Sequence, residues 1–159
     1  MKRKFKLIIR PLSSANIAEV LKLIKKEFSY LEMTKEKIAK RMQNPNVLFY
    51  EALFNNRFAG FIEAELTAND TAQIFGLAVK KEFRGRGIGK KLLLKIIEIL
   101  KKKKIARVFI FVEQDNKIAK RLYNKVGFKF MGLHFSKAKG KLVEELELNL
   151  REERPSYVI

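Results

Sequence analysis

The chain has 159 residues and a formal net charge of +18, with 35 Lys and Arg residues against 17 Asp and Glu residues. It contains no cysteine and one histidine, which excludes disulfides, thiolate metal sites and histidine-based metal clusters. The length suits one domain, and the apolar share of 47% is normal for a globular protein.

The excess of positive charge fits two interpretations. It is typical of proteins that act close to nucleic acid or the ribosome, and it also suits a lysine-rich solvated surface. No apolar run reaches the length of a membrane span, and Leu7–Ile9 is far too short for the core of a signal peptide. We therefore expect a soluble, cytoplasmic protein with no membrane partner.

The N-terminal part predicts one strand and two helices. The strand (Phe5–Arg10) is stopped by Pro11, which has no N–H group to donate. Thr34 opens the second helix, and the proline turn at Asn44–Asn46 ends it. The first helix has apolar residues at helical spacing along one face, namely Ile17, Val20, Leu21, Ile24 and Phe28.

Three strands are predicted next, at Val47–Leu53, Phe58–Leu66 and Gln73–Val79. A tight hairpin turn at Asn55–Arg57 joins the first two. Gly76 lies inside the third strand, where a glycine often marks a bulge or a close approach of the backbone.

A glycine-punctuated loop follows the third of these strands and leads into a helix with apolar residues from Leu92 to Leu100. Glycines let the backbone approach a ligand, and the first N–H groups of a helix have no intrahelical partner. Phosphate or pyrophosphate is the natural occupant of such a site. The glycine spacing differs from the dinucleotide fingerprint, and no Ser or Thr follows Lys90, as a Walker loop requires. Side-chain charge would be added by Arg84, Arg86, Lys90 and Lys91.

The C-terminal part predicts three more strands and one short helix. Val108–Val112 is a continuous apolar run, as expected of a strand buried on both faces. Asp115 or Asn116 caps the short helix, and Gly127 ends it in a left-handed conformation. The last strands are predicted at Phe128–Phe135 and Leu142–Leu150, and a loosely held tail at Arg151–Ile159.

Two motifs in this order resemble those of the GNAT superfamily of N-acetyltransferases. Arg84-x-x-Gly87-x-Gly89 is similar to its acetyl-CoA pyrophosphate loop, and Asn116-x-x-Ala119-x-x-Leu122-Tyr123-x-x-x-Gly127-Phe128 to its closing motif. The resemblance implies a single α/β domain over residues 1–159, with a core at about 5–150 and a tail at 151–159. It also implies a mixed sheet of about seven strands flanked by about four helices, with strands four and five parallel.

The resemblance also implies roles for individual residues. Strand four would offer backbone groups to the pantetheine arm at Leu77, Ala78 and Val79, Asn116 would contact the cofactor, and Tyr123 would protonate the departing CoA thiolate. The pyrophosphate would be held by Arg84, Gly85, Arg86, Gly87, Ile88, Gly89 and Lys90. No metal is needed.

The chemistry of acetyl transfer independently suits Tyr123, because a leaving thiolate needs a nearby acid and a phenol can serve. The attacking amine needs a base. Members that acetylate protein N-termini often have a glutamate on strand five, where this chain has Phe111. Glu113 shares the strand face of Phe111 and is the first choice. A water-relayed base is equally compatible, and the other candidates are Glu63, Glu65 and Tyr30.

The sequence predicts an N-acetyltransferase that moves acetyl from acetyl-CoA to a primary amine by direct attack, since no cysteine exists to carry the acetyl group. The sequence does not decide whether the acceptor is a protein N-terminus, a lysine or a small amine. It also leaves the oligomeric state open between monomer and homodimer. One alternative is a CoA-binding regulatory module that has lost catalysis. Another is a basic adaptor that binds nucleic acid or the ribosome.

Overall fold

The computed structural model describes residues 4–151 and forms one seven-stranded mixed sheet with helices on both faces. This confirms the predicted α/β fold and its order of elements. Two short 3₁₀ turns (Ser14–Asn16 and Lys81–Phe83) accompany these elements. In chain order they are β1 (Leu7–Pro11), α1 (Ile17–Glu27), α2 (Lys35–Gln43), β2 (Val47–Phe54), β3 (Arg57–Ala68), β4 (Thr71–Val79), α3 (Ile88–Lys102), β5 (Arg107–Glu113), α4 (Lys117–Val126), β6 (Lys129–Ser136) and β7 (Lys141–Asn149).

The strands lie in the order β1-β2-β3-β4-β5-β7-β6. Pairing is antiparallel from β1 to β4, and β4 and β5 are parallel, as predicted, with α3 connecting them. The β2–β3 turn has Asn55 and Asn56 at φ of 50° and 66°, the left-handed region that a two-residue hairpin needs. β7 lies between β5 and β6 and pairs antiparallel with both.

Two details of the N-terminal elements differ from the prediction. Pro11 does not stop β1 but is its last residue, opposite Tyr50. A proline is tolerated there because β1 is an edge strand, where an N–H group can be missing without loss to the sheet. The second difference is on α1, where Leu23 is buried together with the predicted Val20 and Ile24. The other predicted residues of this face are only partly buried, namely Ile17, Leu21 and Phe28.

Each face of the sheet has its own apolar core. On one face α3 packs with fully buried residues against β2, β3 and β4, in a core that also includes the inward side chains of β5. On the other face, α1 and α2 pack on β2, β3 and β4, with Val20, Ile38 and Phe61 at the centre. The fully buried residues of α3 are Leu92, Leu93, Ile96 and Leu100.

The second face is not covered as far as β5. Val108, Ile110 and Val112 are buried on the α3 side, whereas Phe109 and Phe111 on the opposite side stay partly exposed. The expectation that β5 is buried on both faces was therefore wrong, because α1 and α2 reach only β2–β4. A cleft forms on this open side of β5.

The ends of the chain limit two further statements. Apart from Arg151, the predicted loose tail at 151–159 lies outside the described residues. Over residues 4–151, no helix combines the length and apolar character that a membrane crossing requires.

Candidate active site

The loop between β4 and α3 has the geometry of an anion site. Gly85 and Gly87 both have φ of +76°, and a Cβ added to either would meet no atom within 4 Å. Gly87 is the N-cap of α3, and the first helical hydrogen bond runs from the N–H of Lys91 to the carbonyl of Gly87, at 3.1 Å. The N–H groups of Ile88, Gly89 and Lys90 therefore precede the helical ladder, at the positive end of the helix dipole.

The arginines of this loop make contacts that hold it in place. Arg84 donates from Nε to the carbonyl of Val79 at 3.0 Å and from Nη2 to Glu27 of α1 at 2.6 Å. The Arg86 guanidinium lies over the ring of Phe54, 4.8 Å from its centroid. Arg84 is ion-paired with Glu27, whereas the cation–π contact leaves the charge of Arg86 unpaired with any carboxylate that the described residues show, and the expectation that both add charge to the site stays a prediction. The exposed side chains of Lys90 and Lys91 supply the local positive charge.

β4 and β5 separate beside this loop. Their parallel pairing joins Thr71–Ile74 to Arg107–Ile110 and goes no further. Beyond it, β4 pairs only with β3 and β5 only with β7. The separation begins at a bulge in β4, where Glu63 lies opposite Gly76 and Ala64 opposite Ile74. Backbone groups of β4 on the β5 side are therefore left outside the sheet.

A cleft of about 650 Å³ lies at this separation. Its walls are β4, β5, α4, the connector between α1 and α2, and the turn between β6 and β7. Of the residues that the sequence singled out, those lining it are Tyr30, Glu63, Leu77, Glu113, Asn116 and Tyr123. The lining does not include Glu65 or the loop residues 84–90. Ala78 and Val79 are also outside it, although they continue β4 directly from the wall of the cleft.

Tyr123 is positioned by α4, whose two ends are fixed by local signals. The Asn116 side chain accepts a hydrogen bond from the N–H of Ala119 at 3.2 Å, and Gly127 ends the helix at φ of 115°. Tyr123 is 4% exposed and packs edge-on against Phe128. Burial raises the pKa of the Tyr123 phenol well above its ordinary value of 10. The phenol is thus protonated at neutral pH and can act as a proton donor.

Glu113 ends β5 at the opposite wall of the cleft. Its carboxylate lies 3.9 Å from Nζ of Lys139 and 3.6 Å from Nζ of Lys141. Phe111, on the same strand face, also lines the cleft. The carboxylate lines the cleft, so it is in a position to accept a proton from a group there.

Glu63 offers a second carboxylate, in a different state. It is held by Arg41 of α2 through a short ion pair from Nε, while Nη2 of the same arginine reaches Glu65 at 3.3 Å. Burial raises the pKa of Glu63, and the ion pair with Arg41 partly opposes this. The guanidinium of Arg41 also lies over the ring of Phe75, 5.4 Å from its centroid.

His134 lies outside the cleft. It is half exposed on β6, edge-on to Phe111, with Nε2 3.5 Å from Glu145. Three charged residues inside the cleft, Glu27, Arg41 and Lys139, were not predicted from the sequence. Glu27 ends α1, Arg41 belongs to the polar face of a short helix and Lys139 to a lysine-rich turn, so none of them carries a distinguishing sequence signal.

Comparison with known proteins gives a consistent result. The model of the acetyltransferase (GNAT) family matches residues 17–128. Spermidine N(1)-acetyltransferase of Thermoplasma acidophilum is 34% identical over 106 residues, covering 67% of this chain and 65% of that protein. The [ribosomal protein bS18]-alanine N-acetyltransferase of Haemophilus influenzae is 35% identical over 89 residues, covering 56% of this chain and 60% of that protein. The chain thus spans less than two thirds of the length of these relatives.

Solved structures agree with the fold. The ribosomal-protein-S18-alanine N-acetyltransferase from Escherichia coli superposes with a TM-score of 0.79 at 19% identity, covering 97% of this chain and 100% of that one. The PaiA N-acetyltransferase from Thermoplasma acidophilum, in complex with coenzyme A, gives a TM-score of 0.72 at 26% identity, covering 88% of this chain and 98% of that one.

Proposed function

Because the chain belongs to the acetyltransferase (GNAT) family, we propose that it transfers an acetyl group from acetyl-CoA to a primary amine. The observation that carries the proposal is that three features adjoin one another. The cleft holds the separated ends of two parallel strands and the buried, protonated phenol of Tyr123, and the β4 wall of the cleft leads to a helix N-terminus behind a glycine loop. An amine acetyltransferase needs an anchor for its donor, donors for the carbonyl and an acid for the leaving group.

The residues present fit acetyl-CoA. The N–H groups of Ile88–Lys90 suit the pyrophosphate, since they precede the helical ladder at a positive helix end and the adjacent Gly87 has open space where a Cβ would be. The backbone of Leu77–Val79 leads from this loop into the cleft and suits the amide groups of the pantetheine arm. Asn116 lines the cleft at the start of α4.

The reaction then needs three contributions from the chain. The amine nitrogen forms a bond to the acetyl carbon as the carbon–sulfur bond breaks, and backbone N–H groups at the strand separation stabilise the charge on the oxygen. Tyr123 gives its proton to the leaving thiolate. Glu113 accepts the proton of the amine, directly or through water, and Glu63 is the alternative. The phenol of Tyr123 is protonated at neutral pH and therefore carries the proton that the thiolate takes.

The acceptor is a primary amine, with a protein N-terminus, a lysine and a small polyamine as the classes to test. The relatives are named for spermidine and for the alanine of a ribosomal protein. Three carboxylates, Glu27, Glu63 and Glu113, line the cleft against two cations, Arg41 and Lys139. Each of the three carboxylates is ion-paired within the protein, with Arg84, Arg41 and Lys141 respectively, so the charge of the cleft does not select among these classes.

Calorimetry with acetyl-CoA on the wild type, Gly87→Glu and Gly87→Gln tests the cofactor site. Both variants take the same φ and have the same open space, so they differ only in charge. Like charges at about 4 Å repel by about 4 kcal/mol at an effective dielectric constant of about 20. We therefore expect Gly87→Glu to lose binding and Gly87→Gln to retain most of it. Equal binding by the wild type and Gly87→Glu would remove the loop from the site.

Tyr123→Phe tests the chemistry, with spermidine and N-terminal alanine peptides as acceptors. We expect kcat to fall by about a hundredfold, the lower range for loss of a positioned acid, while acetyl-CoA affinity stays unchanged. Glu113→Gln and Glu63→Gln, measured beside it, identify the base by which of them lowers kcat. A folded wild type that binds no acetyl-CoA but binds RNA in a salt-dependent way would replace the enzyme by the adaptor alternative.

A further inference from the structure

Lys139 is turned into the cleft, whereas its lysine neighbours face solvent. The turn after β6 is closed by a hydrogen bond from the N–H of Gly140 to the carbonyl of Ser136, at 2.8 Å. The N–H of Lys139 donates to Oγ of Ser136 at 3.2 Å. As a result the Lys139 side chain is 16% exposed, against 55% for Lys141, and Lys137 is exposed as well.

The amine of Lys139 shares a cavity with the groups assigned to acetyl transfer. Its Nζ lies 5.0 Å from the centre of the Tyr30 ring and 3.9 Å from Oε1 of Glu113. Tyr123 and the separated end of β4 line the same cleft. Among the described residues that line it, Lys139 is the one that carries a primary amine.

The environment of Lys139 also favours the nucleophilic form of an amine. Burial lowers the pKa of Lys139, Glu113 opposes this, and the charge of Lys141 adds to the lowering. At a given pH a larger fraction of Lys139 is therefore neutral than of an exposed lysine with an ordinary pKa. Only the neutral amine can attack a carbonyl, so Lys139 is a more reactive acceptor than an exposed lysine.

We propose that Lys139 is an acceptor of this protein's own acetyltransferase activity, modified within the same molecule. The inference rests on the proposed function. Nζ of Lys139 forms a bond to the acetyl carbon while the carbon–sulfur bond of acetyl-CoA breaks. The proton of the amine passes to Glu113, and Tyr123 gives its proton to the thiolate. The products are an amide on Lys139 and free CoA, with no other reactant.

Acetylation would change the contacts that Lys139 makes. The neutral amide no longer places a cation over the ring of Tyr30, and Glu113 keeps only Lys141 as an ionic partner. Acetylation therefore raises the mass of the residue and removes one positive charge from the cleft.

The test is a time course of the full chain with deuterated acetyl-CoA near neutral pH, followed by peptide mass spectrometry. The deuterium label separates new acetyl groups from any acquired during expression. Lys137 and Lys141 serve as internal controls, since they lie in the same turn. We expect Lys139 to be modified about a hundredfold faster than either of them, because a positioned acid catalyst accelerates a reaction by about a hundredfold at least. The rate constant is expected not to change with protein concentration.

Gly87→Glu and Tyr123→Phe separate catalysis from simple reactivity. In both variants we expect the preference for Lys139 to disappear. Equal modification of Lys139 in wild type and Gly87→Glu, or a rate that rises with protein concentration, would overturn the inference. If the wild type binds acetyl-CoA and acetylates an added amine but Lys139 reacts no faster than Lys137, the inference fails and the proposed function stands. Absence of acetyl-CoA binding in calorimetry would overturn both.

Discussion

Gly60 lies where β3 and the end of β4 approach each other, and its replacement by alanine is expected to disturb the cofactor side of the cleft. A Cβ on Gly60 would lie 2.5 Å from the carbonyl oxygen of Ala78 and 3.0 Å from Cα of Val79. Both are backbone atoms in a paired strand, and the N–H of Lys80 also donates to the carbonyl of Ala59 at 2.7 Å. The added methyl group can fit only if the end of β4 moves.

The size of the effect follows from these distances. Carbon–oxygen contacts are normally no shorter than about 3.3 Å, so β4 must shift by about 0.8 Å. Overpacking costs about 1–3 kcal/mol, and the upper end applies because no side chain can rotate away. We expect a loss of about 3 kcal/mol in the free energy of unfolding and a fall in Tm of about 6–12 °C. Displacing one backbone hydrogen bond to the pantetheine arm would weaken acetyl-CoA binding about tenfold.

Urea unfolding and calorimetry with acetyl-CoA measure the two effects. Gly132→Ala is the matched control, because a Cβ on Gly132 would have His134 Nε2 as its nearest neighbour, at 3.9 Å, which is an ordinary contact. The reasoning is refuted if Gly60→Ala unfolds at the same urea concentration as Gly132→Ala and binds acetyl-CoA with the same affinity.

Three further predictions concern individual side chains. Arg10→Ala is expected to destabilise the fold by about 3 kcal/mol, because the fully buried Glu51 carboxylate would keep only Asn16 as its partner; urea titration measures this, and an unchanged midpoint contradicts it. Burial raises the pKa of Glu63, so the folded state binds this proton more tightly than the unfolded state, and the free energy of unfolding falls as pH rises through and above the ordinary pKa. Glu63→Gln should flatten this decline. Parallel pH–stability curves of the wild type and Glu63→Gln would disprove the prediction. Asn116→Ala should cost about 1 kcal/mol by loss of the helix cap, and Asn116→Asp should restore it in thermal unfolding; equal Tm values would argue against the cap.

The features that sequence predicted best are those whose signal lies within a few residues. Gly76 predicted a bulge in β4, and the register shifts between Glu63 and Ala64, opposite it. Asp115 or Asn116 was predicted to cap the start of α4 and Gly127 to end it, and the structure has Asn116 and Gly127 in these positions. The glycine loop predicted an unblocked helix N-terminus, and the structure has one. Such signals depend on local backbone chemistry, which a sequence carries in full.

Features that depend on distant partners could not be predicted in this way. The sequence predicted that Arg84 and Arg86 add charge to the loop, but it could not predict their partners within the protein, which come from α1 and β2. Lys139 resembles the other basic residues of the chain until the β6–β7 turn directs it inward. The catalytic roles of Tyr123 and Glu113 stay predictions, since shared lining of a cleft shows where these residues lie and not what they do.

The position of β7 has a consequence for how the protein is made. β7 is synthesised after both β5 and β6, yet it lies between them in the sheet. Until it is synthesised, β5 presents the apolar run Val108–Val112 as an unpaired edge, which is a template for aggregation. Nascent chains that stall before Lys141 should therefore need chaperone protection, and the cleft at the end of β5 should form only after synthesis passes Asn149.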